Sequence, residues 1–195
     1  MKNSFRASYT VLNMWANGNW EMAVKTYFKL DSYTSRAMAA GKDLHEQWSN
    51  HINETQTLPE VFGSAKLVKP ESELKLTAKL ANWLTLVGRI DCIDADTIYE
   101  FKTGKSSSEE YASTYQGGVY GLLATYHDRL INKVVLCRYD QYAKRSDVSY
   151  LWVTDNLLKD TLNWVETLSS EMHSYFTKNG LYDLYSSSLA QHERN

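Results

Sequence analysis

The sequence has few cysteines and prolines, no long apolar run and almost no excess of charge. Cysteine occurs twice, as Cys92 and Cys137, which is too few for a four-cysteine zinc site or iron–sulfur cluster. No apolar run approaches the length of a membrane span, and the N-terminus shows no secretory signal pattern, so we expect a cytoplasmic protein without membrane contact. The formal net charge of −2 neither indicates nor excludes binding of nucleic acid, and it is compatible with a local basic groove.

What the sequence does contain is the composition of a globular domain. Its 195 residues are 43% hydrophobic and 23% charged, which suffices for one domain with a substantial core. We predict a single domain over residues 1–180, with a helical part at 1–55 and a sheet with helices at 71–180. Residues 181–195 are predicted to form a loose C-terminal tail. The fourteen tyrosines and six tryptophans are expected mostly in the core, with a minority available to stack on bases.

Apolar spacings of three and four predict three helices before the central prolines. The first begins after a capping serine, Ser8, and ends near Asn17; the second covers Trp20 to about Leu30, and the third covers Ser35 to about Ile52. A histidine on the apolar face of the third helix is either a core residue or a ligand. The predicted face consists of Met38, Gly41, Leu44, His45, Trp48 and Ile52.

From Glu71 onward the apolar period becomes alternating, which predicts strands. Three strands are followed by a helix that begins in SSSEEY, by two more strands, and by a long helix. For this last helix Asp155 is the predicted cap and Gly180 the predicted stop. The order predicts an α/β fold with a mixed central sheet flanked by helices.

The stretch GRIDCIDADTIYEFKTGK, residues 88–105, is predicted to be a hairpin with charge in both strands. A loop of two or of four residues gives the same register, in which Asp91 lies opposite Glu100 with β-carbons about 4.5–5.5 Å apart. Two carboxylates at that distance repel, and Mg²⁺ or Mn²⁺ between them would remove the conflict. Lys102 shares a strand face with Glu100, where it can orient a water or stabilise charge on a phosphate. The alternative is that all three residues line a solvated edge.

These residues, together with three further motifs, resemble the PD-(D/E)XK nuclease superfamily. G-x-x-D, a short turn and E-x-K are similar to its RecB-type branch, which includes CRISPR-associated and helicase-associated exonucleases. GKDLHEQW resembles the helical G-x-x-x-H motif with His45 as its histidine, and QGGVY supplies Q-x-x-x-Y with Gln116 and Tyr120. The segment from Ala7 to Phe28 resembles the S-x-S-x-L segment near the N-terminus of the family. The resemblance covers roughly residues 4–180.

The resemblance implies a restriction-endonuclease-like core and a metal-dependent deoxyribonuclease with Mg²⁺ or Mn²⁺ as cofactor. It implies that Asp91 and Glu100 hold the metal together with the backbone carbonyl of Phe101, and that His45 is a ligand or near-ligand. Lys102 would position the attacking water. The implied substrate is DNA that is single-stranded or has free ends, and a protein partner in a repair, recombination, phage or CRISPR complex is expected.

Substrate binding is implied for Gln116, Tyr120 and Lys105, although the first two could instead support the metal site. Three glycines in the helix of Gln116 require a close backbone approach, either by the sheet or by a nucleic-acid strand. Glu73 is a further candidate for the site, with a solvated strand-face charge as its alternative. Scattered basic residues are candidates for a phosphate-binding rim, namely Lys105, Lys133, Arg138, Lys144 and Arg145.

The sequence departs from the resembled family in its cysteines. Asn17-Gly18-Asn19 stands where many relatives have a cysteine, and the tail has none, so no iron–sulfur cluster is expected. Packing by Trp15, Trp20 and the tail tyrosines is expected to join the N-terminal and C-terminal segments instead. A competing hypothesis is a non-cleaving module that binds DNA or a partner protein on a nuclease fold. A third is a CRISPR-adaptation or phage-recombination subunit that is active only in a complex.

Overall fold

A computed structural model describes residues 4–30 and 36–185 of the chain. No helix within these ranges is both long enough and apolar enough to cross a membrane. The described elements are β1 (Phe5–Ala7), α1 (Tyr9–Ala16), α2 (Trp20–Phe28), α3 (Arg36–Thr55), β2 (Glu71–Lys79), β3 (Leu84–Asp94), β4 (Thr97–Lys102), α4 (Ser108–Ala112), α5 (Gln116–Thr125), β5 (Lys133–Asp140), β6 (Arg145–Trp152), α6 (Asp155–Lys178) and α7 (Leu181–Leu184), with a short 3₁₀ turn at Glu60–Phe62.

The six described strands form one mixed sheet in the order β1-β3-β4-β5-β6, and β2 also pairs with β3. Strands β1 and β3 are parallel, as are β4 and β5, whereas β3 with β4 and β5 with β6 are antiparallel. The predicted α/β class, a mixed central sheet flanked by helices, is therefore confirmed. It is consistent with a restriction-endonuclease-like core.

Three local predictions were wrong in detail. Strand β1 was not expected, because three residues are too few to show an alternating pattern. The helix predicted from SSSEEY onward is two helices, since the hydroxyls of Ser113 and Thr114 bond back to the carbonyls of Glu110 and Tyr111 and end α4. Thr154, not Asp155, caps α6, because its hydroxyl oxygen accepts a hydrogen bond from the Leu157 backbone nitrogen.

The described residues divide into two compact units, one of residues 4–30, 77–87 and 162–185 and the other of residues 36–76 and 88–161. The first unit has an aromatic core. Phe5 stacks on Tyr27 with ring centroids 4.9 Å apart, and Phe28 and Phe176 lie 5.1 Å apart. Such aromatic pairs are worth about 0.5–1.5 kcal/mol beyond the apolar area they bury.

Aromatic contacts join the N-terminal and C-terminal segments of this unit, as predicted for Trp15 and the tail tyrosines, whereas Trp20 is mostly exposed and packs on Trp15. Trp15 of α1 packs on Tyr175 of α6 with centroids 5.3 Å apart, and Phe28 of α2 packs on Tyr182 and Tyr185. The prediction of a loose tail from residue 181 is wrong at its start, since α7 forms there around the buried Tyr182. Residues 186–195 of that tail lie outside the described residues.

The second unit packs one face of α3 against the sheet. Trp48 and Ile52 lie in a buried cluster with Phe101 and both cysteines, Cys92 and Cys137. The cysteines are unpaired, and burial raises the pKa of each thiol to about 12. The predicted apolar face of α3 is therefore confirmed at its C-terminal end. Met38, at the other end, is 60% exposed and does not belong to it.

Candidate active site

The charged hairpin has the predicted register. Its loop contains two residues, Ala95 and Asp96, and Ala95 has a positive φ of 51°, as a tight connection between twisted strands requires. The ladder pair farthest from the turn is Cys92 with Tyr99. The next residue on each strand beyond this pair is Asp91 on β3 and Glu100 on β4, as expected. There the backbone nitrogen of Phe101 donates to the Asp91 carboxylate at 2.7 Å. The paired residues are Asp94 with Thr97, Ile93 with Ile98 and Cys92 with Tyr99.

Glu100 is a buried carboxylate with one satisfied and one unsatisfied oxygen. Its Oε1 accepts from Lys102 Nζ at 2.7 Å and from Gln116 Nε2 at 2.6 Å. Its Oε2 is buried and has no hydrogen-bond partner within the described part of the chain. Burial raises the pKa of Glu100, the Asp91 carboxylate raises it further, and Lys102 offsets only part of the increase. Lys102 therefore neutralises only part of the negative charge of Glu100 and Asp91, and this place favours a proton or a further cation.

Lys102 is the positive charge of this cluster. Its side chain is 19% exposed, and its ammonium group lies 5.3 Å from the ring centroid of Tyr111 on α4. Burial lowers the pKa of Lys102, but the adjacent Glu100 and Asp91 carboxylates outweigh burial and raise it overall. Lys102 is therefore an ammonium group at neutral pH and can stabilise negative charge.

Gln116 and Tyr120 are buried one turn apart on α5. Gln116 Nε2 donates both to Glu100 Oε1 and, at 2.9 Å, to the Tyr120 hydroxyl. The structure thus brings the predicted glutamine and tyrosine to the carboxylate cluster. Because both side chains are less than 10% exposed, this geometry favours support of Glu100 over direct contact with a substrate.

The glycines of α5 let protein, not nucleic acid, approach the helix. A β-carbon at Gly117 would lie 2.5 Å from the Leu151 side chain of β6, and one at Gly118 would overlap Thr161 of α6. A β-carbon at Gly121 would lie 3.0 Å from Val153. Of the two predicted reasons for these glycines, sheet packing is confirmed for Gly117, whereas Gly118 and Gly121 closely approach side chains of α6 and of the segment that follows β6.

A second group of ligand atoms lies beside Asp91. His45 Nδ1 is 3.5 Å from Asp91 Oδ1, and one ligand atom each of His45, Glu73 and Asp91 lie within 4.8 Å of one another. Gly41, one turn before His45, permits this approach, since a β-carbon there would lie 2.7 Å from the Thr103 hydroxyl at the end of β4. Glu73 was predicted either as part of the site or as a solvated charge on a strand face. Its closeness to His45 and Asp91 supports the first of these interpretations.

These residues open onto a cavity of about 720 Å³. Its walls combine one face of α3 with residues of β2 and β3. Arg89 also lines the cavity, and it was not among the predicted site residues. It lies two positions from Asp91 on β3, so both side chains are on the same face of the strand. This alternation is the signal that could have identified Arg89. The lining also includes His45, Glu73, Lys42, Glu46 and Thr103.

The side chains present fit a divalent cation. Carboxylate and imidazole ligands suit Mg²⁺ and Mn²⁺, with imidazole better matched to Mn²⁺. Glu100, whose buried Oε2 has no hydrogen-bond partner among the described residues, is a further carboxylate next to Asp91. The ligand atoms of His45, Asp91 and Glu73 lie close enough together to bind one metal ion. The roles of Glu100 and of the Phe101 carbonyl as ligands stay predictions.

The residues predicted for a phosphate-binding rim all lie outside the lining of this cavity, namely Lys105, Lys133, Arg138, Lys144 and Arg145. Lys105 is exposed in the loop after β4, outside the cavity lining. The guanidinium of Arg138 donates to the carbonyls of Gly104 and Lys105 in that loop. It also bonds the carboxylates of Asp140 and Asp147. Arg138 is therefore committed to holding the loop, which argues against the phosphate-binding role predicted for it.

No protein-family model matches the sequence, and no curated protein matches it by sequence. Solved structures do match. An alkaline exonuclease, LHK-Exo from Laribacter hongkongensis, aligns with a TM-score of 0.57 at 10% identity, over 90% of this chain and 93% of that chain. Its complex with dAMP gives a TM-score of 0.54 at 10% identity, over the same shares of the two chains.

A third similar structure is that of SSO0001. It aligns with a TM-score of 0.55 at 14% identity, over 86% of this chain and 77% of that chain. At identities this low the likeness shows the fold alone. The chain thus has a fold that a known exonuclease also has, and the cluster of ionisable side chains lies within that fold.

Proposed function

We propose that this protein is a metal-dependent deoxyribonuclease of the PD-(D/E)XK superfamily, RecB-type branch, which hydrolyses DNA phosphodiester bonds. The observation that carries the proposal is the buried Glu100 carboxylate, bonded to Lys102 and next to Asp91. Two adjoining carboxylates in a buried place destabilise a protein unless a proton or a further cation offsets the charge that Lys102 does not neutralise. A module that only binds DNA has no use for that cost. The fold likeness to an alkaline exonuclease supports the nuclease class.

The proposed ligands for Mg²⁺ or Mn²⁺ are His45, Asp91, Glu100 and the Phe101 carbonyl. A divalent cation there would neutralise charge on the reacting phosphate and lower the pKa of water. Lys102 orients the attacking water and stabilises negative charge on the phosphate through its ammonium group.

The proposed substrate is DNA with single-stranded or free ends, and the proposed products carry a 5′-phosphate and a 3′-hydroxyl. Lys105, exposed beyond the end of β4, contributes a phosphate contact. We place the activity in DNA repair, recombination, phage DNA processing or CRISPR adaptation. A partner protein is expected to supply any processivity.

The test is cleavage of end-labelled single-stranded DNA by purified protein with Mg²⁺, with Mn²⁺ and with EDTA. Cleavage should require metal and disappear in Asp91→Asn. Asp43→Asn is the matched control, because Asp43 is an exposed aspartate of α3 outside the cavity lining, and it should cut like wild type. Metal-independent cutting would reject the mechanism. DNA binding without cutting, under every metal and substrate tried, would favour the non-cleaving module.

A further inference from the structure

Glu73 has a backbone conformation that its strand does not predict. Its φ is +57°, in the left-handed region that residues other than glycine, asparagine and aspartate rarely adopt. From Lys75 to Lys79 β2 alternates regularly between exposed and buried residues, whereas the alternation is lost around Glu73. Irregularities of this kind re-aim a side chain and occur frequently next to active sites. Here the irregularity accompanies a carboxylate that lines the cavity.

The carboxylate of Glu73 already has a positive partner. Arg89 Nε forms an ion pair with Glu73 Oε2, and both residues line the cavity with His45 and Asp91. The Glu73 side chain is 23% exposed and the Arg89 side chain 58% exposed. An ion pair this open to water contributes little to stability, so stability alone does not explain a strained backbone at Glu73.

We propose that Glu73 is a further ligand of the divalent metal at His45 and Asp91, and that Arg89 and the metal compete for its carboxylate. The inference rests on the metal site of the proposed function. One ligand atom of Glu73 lies within 4.8 Å of those of both His45 and Asp91, which is within reach of one shared cation. A guanidinium bonded to a carboxylate lowers the negative charge that this carboxylate offers to a second cation.

Competition gives Arg89 a role that a structural ion pair lacks. With Arg89 bonded, Glu73 is held near the site but partly neutralised. When the metal takes the Glu73 carboxylate, the guanidinium loses its partner. Removing Arg89 should therefore strengthen metal binding, and this gain should depend on Glu73 being a carboxylate.

The experiment is Mn²⁺ binding without DNA, measured by the loss of the free Mn²⁺ signal in electron paramagnetic resonance. Glu73→Gln should weaken binding roughly 10- to 100-fold, the loss typical when a metal site is deprived of a group that supports it. Glu46→Gln is the matched control, because it removes the same charge from the same cavity, and it should change the affinity far less. Equal weakening by the two variants would overturn the proposal.

Arg89 is tested against Lys42, which lines the same cavity and carries the same charge. Arg89→Gln should tighten Mn²⁺ binding more than Lys42→Gln does, and the difference should vanish when Glu73→Gln is also present. The same difference with and without Glu73 would overturn the competition. Should Glu73→Gln fail to fold, as judged by its melting curve, equal Mn²⁺ affinities of Arg89→Gln and Lys42→Gln in the wild-type background would still overturn the competition.

Cleavage assays separate this inference from the proposed function. A protein that binds Mn²⁺ through Glu73 but cuts no DNA would reject the nuclease and leave the competition standing. A protein that cuts normally while Glu73→Gln and Glu46→Gln bind Mn²⁺ equally would reject the competition and leave the nuclease standing. Absence of Mn²⁺ binding by wild type would overturn both.

Discussion

The side-chain nitrogen of Gln116 donates a 2.6 Å hydrogen bond to the carboxylate of Glu100 across 16 residues of sequence. The same nitrogen donates to the Tyr120 hydroxyl, and both α5 residues are buried. This geometry relates the Q-x-x-x-Y pattern to the E-x-K strand directly. A buried glutamine that bonds a buried carboxylate fixes the orientation of that carboxylate.

Gln116→Ala should therefore lower the cleavage rate while leaving DNA affinity close to that of wild type. Loss of the bond removes one of the two side-chain donors to Glu100 Oε1 that the described residues supply, and loss of such a supporting group typically costs 10- to 100-fold in activity or metal affinity. Rates and DNA affinities are compared with those of Gln47→Ala, an exposed glutamine of α3. A large loss of DNA affinity with an unchanged rate would instead support the predicted role in substrate binding.

Glu100 and Lys102 are expected to fail in different ways. Glu100→Ala should lose metal binding and cleavage together, since it removes a proposed ligand. Lys102→Ala should retain metal but lose about 10²–10³ in rate, the usual effect of removing one group that stabilises developing charge. Calorimetric metal titration and single-turnover cleavage measure the two effects. Cleavage by Lys102→Ala at the wild-type rate would mean that the hairpin charges are a solvated edge.

The stability of the metal-free protein should depend on pH through Glu100. Burial and Asp91 raise its pKa above the ordinary value of 4.5, so the native state binds more protons than the unfolded state between the two pKa values. The stability from protonated Glu100 is thus complete below the ordinary value and is lost as pH rises through the raised one. Urea unfolding in EDTA from about pH 5 to about pH 8 should show this loss.

Glu100→Gln is the control for that measurement. Glutamine is nearly isosteric with glutamate and does not titrate, so the variant should show a smaller fall in unfolding free energy over the same range. Saturating Mn²⁺ should restore stability to wild type at high pH, because a ligand that binds only the folded state stabilises it. Equal slopes for the two proteins would show that Glu100 does not titrate as its burial requires.

The sequence predicts those parts of the site that depend on local rules. The register that places Asp91 and Glu100 next after the last ladder pair follows from strand alternation and loop length, and a two-residue loop does form at Ala95 and Asp96. The position of Lys102 follows from the same alternation. These features were predictable because turn geometry fixes register over a few residues.

The remaining parts depend on contacts between distant segments. Glu73 and Arg89 are brought together by the pairing of β2 with β3 and by the irregular backbone at Glu73. An alternating sequence pattern predicts neither this pairing nor this irregularity. Gln116 could be placed on a helix, but its bond to Glu100 requires the packing of α5 on the sheet, which Gly117 permits. Helix ends that depend on a single hydroxyl group, as at Ser113, could likewise not be predicted from the apolar periodicity of the sequence.

Both cysteines should be unreactive in the native protein. They are buried, and a pKa raised to about 12 leaves almost no thiolate at neutral pH. Iodoacetamide should label native protein slowly and urea-unfolded protein quickly, whereas Ser106→Cys, at an exposed position, should be labelled quickly in both. Double replacement of Cys92 and Cys137 by alanine should preserve cleavage. Rapid labelling of the native wild type would contradict their burial.

The last prediction separates a phosphate contact from a structural arginine. Lys105 is exposed, whereas the Arg138 guanidinium is bonded to the carboxylates of Asp140 and Asp147 and to two carbonyls of the loop that carries Lys105. Lys105→Gln should reduce the slope of log K for single-stranded DNA against log salt by about 0.7, the value for one lost phosphate contact. Its melting temperature should stay unchanged.

Arg138→Gln should do the opposite, lowering the melting temperature while leaving the salt slope intact. Two of its four bonds go to carbonyls of the loop between β4 and α4, and their loss leaves those carbonyls without this donor and Asp147 without its guanidinium partner. Fluorescence anisotropy over a salt series and thermal melts measure the two quantities in both variants. A reduced salt slope for Arg138→Gln, with an unchanged melting temperature, would show that its guanidinium reaches phosphate after all.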